Sequence, residues 1–303
     1  MSAICYKPKS FREPSLAIIG AATNIIEEYQ AEGFTLTLRQ LYYQFVARGW
    51  IANKQSEYDR LGKIISDARM AGYIDWEAIE DRTRFLRSNP HWSSTQHILR
   101  TVSEQYAIDK WKGQDARVEV WIEKDALVGV IENVCRTEDV PFFACRGYSS
   151  QSELWRASQR IYDHVIEEQR VVVIHLGDHD PSGIDMTRDI EDRLRTFLDW
   201  HGAYVGRGED VEVRRIALNM SQVEEFSPPP NPAKLTDSRV DGYLRKFGSS
   251  SWELDALDPR HIERLILNEI EDLRDPDLWA VAQEEEQSDK KRLGELASQE
   301  ESP

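Results

Sequence analysis

The chain has few cysteines and no long apolar run. Cys5, Cys135 and Cys145 are odd in number and follow no regular spacing, so neither a disulfide framework nor a zinc site is indicated. No apolar stretch approaches the roughly 18 residues that a membrane span needs, and we expect none. The N-terminal segment MSAICYKPKSFREPS lacks the apolar core of a secretory signal, so we expect a cytoplasmic protein.

Charge is distributed unevenly along the chain. Residues 1–120 carry 16 Lys and Arg against 15 Asp and Glu, whereas residues 121–303 carry 22 against 39. The acidic C-terminal part argues against unselective binding of polyanions. Nucleic acid is still compatible with this balance, because metal sites are built from acids and a near-neutral domain can present one basic face.

The stretch VVVIHLGDHDPSGIDM (171–186) is an apolar strand that runs into two aspartates. Because side chains alternate along a strand, Asp178 and Asp180 are predicted to point the same way, with His179 opposite. Two neighbouring carboxylates repel each other unless a cation lies between them, and oxygen ligands suit Mg²⁺. Taken alone, the pair also fits two solvated loop acids.

A second apolar strand, RVEVWIEKDAL (117–127), ends at Glu123. From residue 117 to 218, strands alternate with helices, which predicts an α/β domain with a parallel sheet. Open α/β sheets place their sites at the carboxyl ends of strands. The sequence therefore predicts a metal site made of Glu123, Asp178 and Asp180.

The N-terminal part has the pattern of three short helices, over 15–30, 37–49 and 56–70. Three such helices followed by a polar, aromatic stretch fit a winged-helix module, whose last helix usually enters the major groove. The basic side chains on that helix that we predict to contact DNA are Arg60, Lys63 and Arg69. An ordinary solvated helix face is the alternative.

Together these motifs resemble a known family. Glu123 and the GDHDPSG segment (177–183) resemble the Toprim domain of topoisomerases, primases and some nucleases. The segment TLRQLYYQF (37–45), placed ahead of such a domain, resembles the A subunit of type IIB topoisomerases (topoisomerase VI). The meiotic double-strand-break transesterase belongs to the same family. The resemblance covers about residues 35–200, and WELDAL (252–257) also resembles the region after the Toprim domain. The short chain is most similar to the stand-alone mini-A relatives of bacteria, viruses and mobile elements.

The resemblance implies a DNA-cleaving tyrosine. The second tyrosine of the pair, Tyr43, matches the family's nucleophile, which attacks a DNA phosphodiester and leaves a 5′-phosphotyrosyl link. The alternative nucleophile is the first tyrosine of the pair, Tyr42. For both tyrosines, packing in the core without a catalytic role is the other interpretation. A phenol with a pKa near ~10 is a poor nucleophile at neutral pH. Arg39 lies one helical turn before Tyr43 and would stabilise the phenolate or the phosphate.

The same resemblance implies cofactors and partners. Mg²⁺ or Mn²⁺ would bind the acidic triad, and Lys124 and His179 would add phosphate contacts. The expected partners are double-stranded DNA, a second copy of the chain and a separate ATPase subunit. The expected location is the cytoplasm, at the nucleoid, or the host cytoplasm for a viral protein.

The expected architecture is a CAP-like winged-helix domain followed by a Toprim α/β domain. The predicted divisions are 1–110 for the arm and tyrosine domain, 111–225 for the Toprim domain, 226–280 for a helical extension and 281–303 for a charged tail, which is read as a frayed helix or a tail. Two other functions remain open. One is a Toprim nuclease that uses metal-activated water, and the other is a winged-helix DNA-binding protein with an inactive metal site.

Overall fold

The computed structural model describes residues 4–80, 89–233, 237 and 239–299. Its N-terminal module contains helices α1 (Glu13–Ala31), α2 (Leu38–Ala47) and α3 (Gln55–Met70). Apolar residues at helical spacing on the three helices pack into one core, and the largest fully buried side chains there include Ile25, Leu41 and Phe45. The three predicted helices are confirmed.

Helix α2 (Leu38–Ala47) lies within the predicted range 37–49 and is bounded by two local signals, Thr37 and Gly49. Thr37 Oγ1 accepts a hydrogen bond from Gln40 N at 3.3 Å, and Gln40 Oε1 accepts one from Thr37 N at 2.9 Å. This capping box satisfies backbone donors that a helix start leaves unpaired. At the other end Gly49 has a φ of 71°, a left-handed conformation that favours glycine and stops the helix.

A four-stranded parallel sheet forms the centre of the second module. Its strands are β1 (Ala116–Ile122), β2 (Phe142–Ala144), β3 (Arg170–Leu176) and β4 (Val211–Ala217), in the order β2-β1-β3-β4. β1 is buried along its whole length, as expected for a strand covered on both faces. The predicted parallel α/β sheet is confirmed.

Helices cover both faces of this sheet. Helices α5 (Val128–Thr137) and α10 (Pro259–Leu273) pack on one face, and α6 (Gln151–Val165) and α7 (Pro181–Leu198) pack on the other. The chain leaves β1 toward β2 on one side, while β3 lies on the other side of β1. The ends of β1 and β3 therefore border the switch point, where open α/β sheets bind ligands.

Smaller elements complete the described part of the chain. Helix α4 (Thr95–Gln105) precedes the sheet, and helices α8 (Met220–Phe226) and α9 (Val240–Phe247) follow it. A two-stranded antiparallel ribbon pairs β5 (Asn231–Pro232) with β6 (Ser250–Ser251). Short 3₁₀ turns occupy Trp76–Ala78, Asp125–Leu127, Asp199–His201 and Leu254–Ala256. None of the helices in the described ranges is both long and apolar enough to cross a membrane.

Residues 281–299, for which the sequence left a frayed helix or a tail open, belong to a continuous helix, α11 (Pro276–Gln299), packed along α4. Residues 300–303 of that predicted segment lie outside the described residues. Glu286 forms an ion pair with Lys110 at 2.7 Å, and Asp289 accepts a hydrogen bond from Tyr106 at 2.9 Å. Trp279 is buried near the start of the helix. The charged composition of this segment suggests exposure to solvent, but several of its charged residues have partners within the protein.

The two modules meet at the segment that leads into α10. Ala256 packs into the core of the N-terminal module. The Tyr29 hydroxyl donates to Asp258 at 2.7 Å, and Arg260 contacts Glu32 at 2.8 Å. Because apolar and ionic contacts combine here, the segment holds α1 and α2 against the edge of the sheet where β1 and β3 end.

Candidate active site

The three predicted metal-binding acids lie at one cleft. Glu123 follows β1, and its Oε2 accepts a hydrogen bond from Asp178 N at 2.8 Å. Asp180 caps α7 by accepting a hydrogen bond from Gly183 N at 2.6 Å. Glu123, Asp178 and Asp180 all line the same open cleft of about 610 Å³. His179 is 2% exposed and lies 2.8 Å from the Tyr243 hydroxyl, so it does not line this cleft.

Two glycines let the backbone approach these acids closely. A Cβ added at Gly177 would lie 2.9 Å from Glu123 Oε2. A Cβ added at Gly183 would lie 2.2 Å from the carbonyl oxygen of Asp178. Gly183 must be glycine because the close atom there belongs to the backbone, whereas a side chain at Gly177 would force the end of the Glu123 side chain to move.

Arg215 forms hydrogen bonds with the backbone of the GDHDPSG segment. This arginine of β4 donates to the carbonyl oxygens of Gly177 at 2.9 Å, Asp178 at 2.7 Å and Gly183 at 2.9 Å. It also donates to the Thr187 hydroxyl at 3.1 Å. Burial lowers the pKa of Arg215 to about 10, against the opposing effect of nearby acids. The guanidinium thus fixes the loop that carries two of the three acids.

The surroundings of Asp178 and Glu123 disfavour the charged forms of these two acids. Burial, together with the carboxylates of Glu123 and Asp255, raises the pKa of Asp178 to about 7, while Lys124 opposes the shift. Burial and the neighbouring Asp180 also raise the pKa of Glu123. A bound cation would relieve this repulsion.

The donor chemistry fits a hard divalent ion, since Glu123, Asp178 and Asp180 offer only carboxylate oxygens. As the side chains stand, no three His, Cys, Asp or Glu residues within the described ranges are arranged to hold an ion. A positively charged side chain already contacts one of the acids, since Lys124 Nζ lies 3.0 Å from Asp178 Oδ2. Binding of Mg²⁺ or Mn²⁺ therefore requires these side chains to reorient.

Lys124 also contacts two acids that the sequence analysis did not select. Its Nζ lies 3.0 Å from Glu253 Oε2 and 3.0 Å from Asp255 Oδ1. Burial opposes a charged lysine, but the carboxylates of Asp255, Asp178 and Glu253 outweigh it and raise the pKa of Lys124. The ammonium group is therefore held charged inside the cleft.

Arg39 connects this acidic cluster to the tyrosine pair. Its Nε lies 2.7 Å from Asp255 Oδ2, and its Nη2 forms an ion pair with Glu253. The same Nη2 lies 3.5 Å from the Tyr43 hydroxyl, and the guanidinium carbon lies 5.7 Å from the ring centre. Arg39 lines the cleft, whereas Tyr43 is 3% exposed. Burial and the carboxylates of Asp255 and Glu253 raise the pKa of Tyr43, and Arg39 opposes them.

Tyr42 has a different set of contacts. Its hydroxyl donates to Asn53 Oδ1 at 3.0 Å and accepts from Lys54 N at 2.8 Å. Asn53 Nδ2 donates in turn to Asn231 Oδ1 at 2.7 Å. Tyr42 thus joins the N-terminal module to the β5 strand, and Tyr43 is the tyrosine that contacts Arg39.

The three predicted DNA-contacting residues are placed differently from one another. Lys63 is exposed on α3, and Arg60 is exposed but forms an ion pair with Glu57 at 2.6 Å. Arg69 turns inward, donates to the carbonyl oxygens of Trp76 and Ile79, and lies over the Trp76 ring. Arg69 therefore holds the segment after α3 in place.

The residues that sequence reasoning missed are Glu253, Asp255 and Arg215. WELDAL resembles the region after the family's Toprim domain, but nothing in that resemblance assigned its acids a role. Arg215 lies in the strand segment VEVRRIALN (211–219), which also contains Glu212 and Arg214, so its charge alone did not mark it as a site residue.

No family model matches the chain, and a search of curated proteins finds no similar sequence.

Proposed function

We propose that this protein is a metal-dependent DNA-cleaving enzyme of the topoisomerase VI A type, with Tyr43 as its nucleophile. The observation that carries the proposal is that Arg39 contacts the Tyr43 hydroxyl and, through Glu253 and Asp255, joins the cluster around Lys124. A candidate nucleophile and candidate phosphate-binding cations thus lie beside the acids at the switch point.

The chemistry is a transesterification. The Tyr43 oxygen forms a bond to phosphorus, the bond from phosphorus to the 3′-oxygen breaks, and the phenolic proton is balanced by the new 3′-hydroxyl. Arg39 would stabilise the developing phenolate, and Lys124 would contact the phosphate. When bound by Glu123, Asp178 and Asp180, Mg²⁺ or Mn²⁺ supplies positive charge that neutralises the phosphate.

The proposal includes the family's architecture and assembly. The N-terminal module would be the winged-helix domain and the sheet module the Toprim domain. A double-strand cut needs two nucleophiles, which a twofold dimer supplies. DNA contacts from Arg60 and Lys63, a separate ATPase subunit and a cytoplasmic location at DNA belong to the same proposal.

A hydrolytic nuclease is the second candidate, and one observation favours it. The Tyr43 hydroxyl is buried behind Arg39, and its surroundings raise its pKa, which disfavours a phenolate. In that case metal-activated water attacks the phosphate and Tyr43 only packs.

Cleavage of supercoiled plasmid tests the two candidates. The reaction contains Mg²⁺ or Mn²⁺, is stopped in SDS and is analysed with and without proteinase K. The proposal predicts cut DNA with bound protein, lost in Tyr43→Phe and Asp178→Asn but retained in the matched control Tyr42→Phe. Protein-free cuts that persist in Tyr43→Phe and vanish in Asp178→Asn would establish the hydrolytic nuclease.

A further inference from the structure

One oxygen of Glu253 contacts basic groups from both modules. Glu253 Oε2 lies 3.0 Å from Lys124 Nζ and forms an ion pair with Arg39 Nη2. Arg39 belongs to α2, and Lys124 follows β1, so the two cations come from different modules. A position that brings two cations onto one anionic oxygen is suited to a phosphate oxygen as well.

The donors of Lys124 are fully used in this arrangement. An ammonium group has three N–H donors. Lys124 Nζ contacts three carboxylates, those of Asp178, Glu253 and Asp255, each at 3.0 Å. A DNA phosphate can reach Lys124 only after one of these carboxylates leaves.

Glu253 is the partner best placed to leave toward solvent. The Glu253 side chain is 27% exposed, whereas that of Asp255 is 2% exposed and that of Asp178 is 10% exposed. Asp178 is also held by Leu254 N, which donates to its Oδ1 at 2.8 Å. Burial opposes ionisation of Glu253, but Lys124 and Arg39 lower its pKa to about 2, so this position favours an anion.

We propose that Arg39 and Lys124 form a binding position for one DNA backbone phosphate, and that the Glu253 carboxylate occupies it as an internal competitor in the resting protein. The inference rests on the proposed function, since it takes DNA as the ligand. Asp255 keeps both cations in place when Glu253 withdraws, because it contacts Arg39 and Lys124 independently.

Equilibrium binding to a short DNA duplex in EDTA tests this proposal without cleavage. Glu253→Gln removes the competing charge, and Glu132→Gln is the matched control, because it frees Arg136 from an exposed ion pair on α5. We expect Glu253→Gln to bind about 3- to 10-fold more tightly than Glu132→Gln at 0.1 M salt. One additional phosphate contact should also steepen the slope of log K against log salt by about one.

Two further variants separate competition from structural damage. Adding Lys124→Gln to Glu253→Gln should abolish the gain, because the phosphate then lacks its second cation. Glu253→Asp keeps the charge but withdraws the carboxylate, and its affinity should lie between those of the wild type and Glu253→Gln. Affinity of Glu253→Gln equal to or below that of Glu132→Gln, with an unchanged unfolding midpoint, would overturn the proposal.

A parallel plasmid assay separates this inference from the proposed function. If the wild type cleaves DNA in a Tyr43-dependent way but Glu253→Gln does not bind DNA more tightly, the proposal that Glu253 competes with phosphate is rejected. The proposed DNA-cleaving function is then retained. If Glu253→Gln binds DNA more tightly but neither the wild type nor any variant cleaves DNA, the phosphate-binding position is supported and the proposed DNA-cleaving function is rejected. Failure of both measurements would reject both.

Discussion

Arg39 Nη2 lies 3.5 Å from the Tyr43 hydroxyl, one helical turn further along α2. The same guanidinium binds Glu253 and Asp255 of a segment more than 200 residues away in sequence. This one side chain therefore links the candidate nucleophile to the acidic cleft. The first prediction concerns the contacts that its guanidinium group makes.

Arg39→Lys should lower plasmid cleavage by about 10²–10³-fold, a loss typical of removing one preorganised donor to a developing charge. Lysine keeps the positive charge but lacks the planar fork that contacts Tyr43, Glu253 and Asp255 together. Single-turnover cleavage rates would measure the loss. The control is Arg48→Lys, at the C-cap of the same helix but paired with Glu28 at the surface. Equal rates in Arg39→Lys and the wild type would contradict a role for Arg39.

Gly177→Ala should weaken Mg²⁺ binding, because the added methyl would lie 2.9 Å from Glu123 Oε2 and must displace that carboxylate. Isothermal titration with Mg²⁺ measures the effect, which we expect to be at least tenfold. Gly20→Ala is the matched control, since nothing lies within 4 Å of the methyl on α1, and it should leave Mg²⁺ affinity unchanged. Unaltered affinity in Gly177→Ala would contradict the prediction that crowding of Glu123 Oε2 at this position weakens metal binding.

Arg215→Met should lower the free energy of unfolding by about 3 kcal/mol, because the carbonyl oxygens of Gly177, Asp178 and Gly183 each lose a charged donor. Urea unfolding followed by circular dichroism measures the change. Arg136→Met, which breaks only an exposed ion pair with Glu132, should change stability by less than about 0.5 kcal/mol. Similar values for the two variants would show that Arg215 does not support the acid loop.

Mg²⁺ affinity should rise with pH up to about 7 and then level off, because the metal binds the ionised Asp178, whose pKa is raised to about 7. The raised pKa also sets the sign for stability. The folded state holds the proton on Asp178 more tightly than the unfolded chain does. The contribution of Asp178 to the free energy of unfolding therefore falls as pH rises from about 4 to 7. Titration of Mg²⁺ between pH 5.5 and 8.5 checks the first statement. Asp178→Asn should remove the pH dependence, and a flat wild-type profile would argue against Asp178 as a ligand.

Helix α11 should contribute to stability despite its charged composition. Trp279→Ala removes a buried indole that packs 5.7 Å from the Trp111 ring and should cost about 3–5 kcal/mol. Thermal and urea unfolding measure the loss. Leu296→Ala, at an exposed position of the same helix, is the control and should have little effect. A minor loss for Trp279→Ala would mean that α11 docks only weakly.

The strand ends were predictable because local patterns determine them. The apolar run before Asp178 has the pattern of a buried strand, and the segment before Glu123 has the same pattern. Within a parallel α/β sheet, this places both acids at the same edge of the sheet. The capping box at Thr37 is likewise local, and so is the glycine stop at Gly49.

The rest of the site depends on contacts between distant segments. Glu253 and Asp255 reach Lys124 because a short backbone pairing joins Trp252 to His179, and no local signal in WELDAL reports that pairing. The packing of helix α11 was not predicted, for a related reason. Partners such as Lys110 for Glu286 lie far away in sequence, so its charges resemble a solvated tail.

The most direct test of the account is to identify the residue that carries DNA after cleavage. Trypsin should cut after Arg39 and Arg48, which places Tyr42 and Tyr43 together in the peptide 40–48. Cleavage complexes trapped in SDS are digested with nuclease and trypsin, and fragmentation mass spectrometry locates the nucleotide. We predict a 5′-phosphate-linked nucleotide on Tyr43. A nucleotide on Tyr42, or cut DNA with free 5′ ends and an unmodified peptide, would contradict the account.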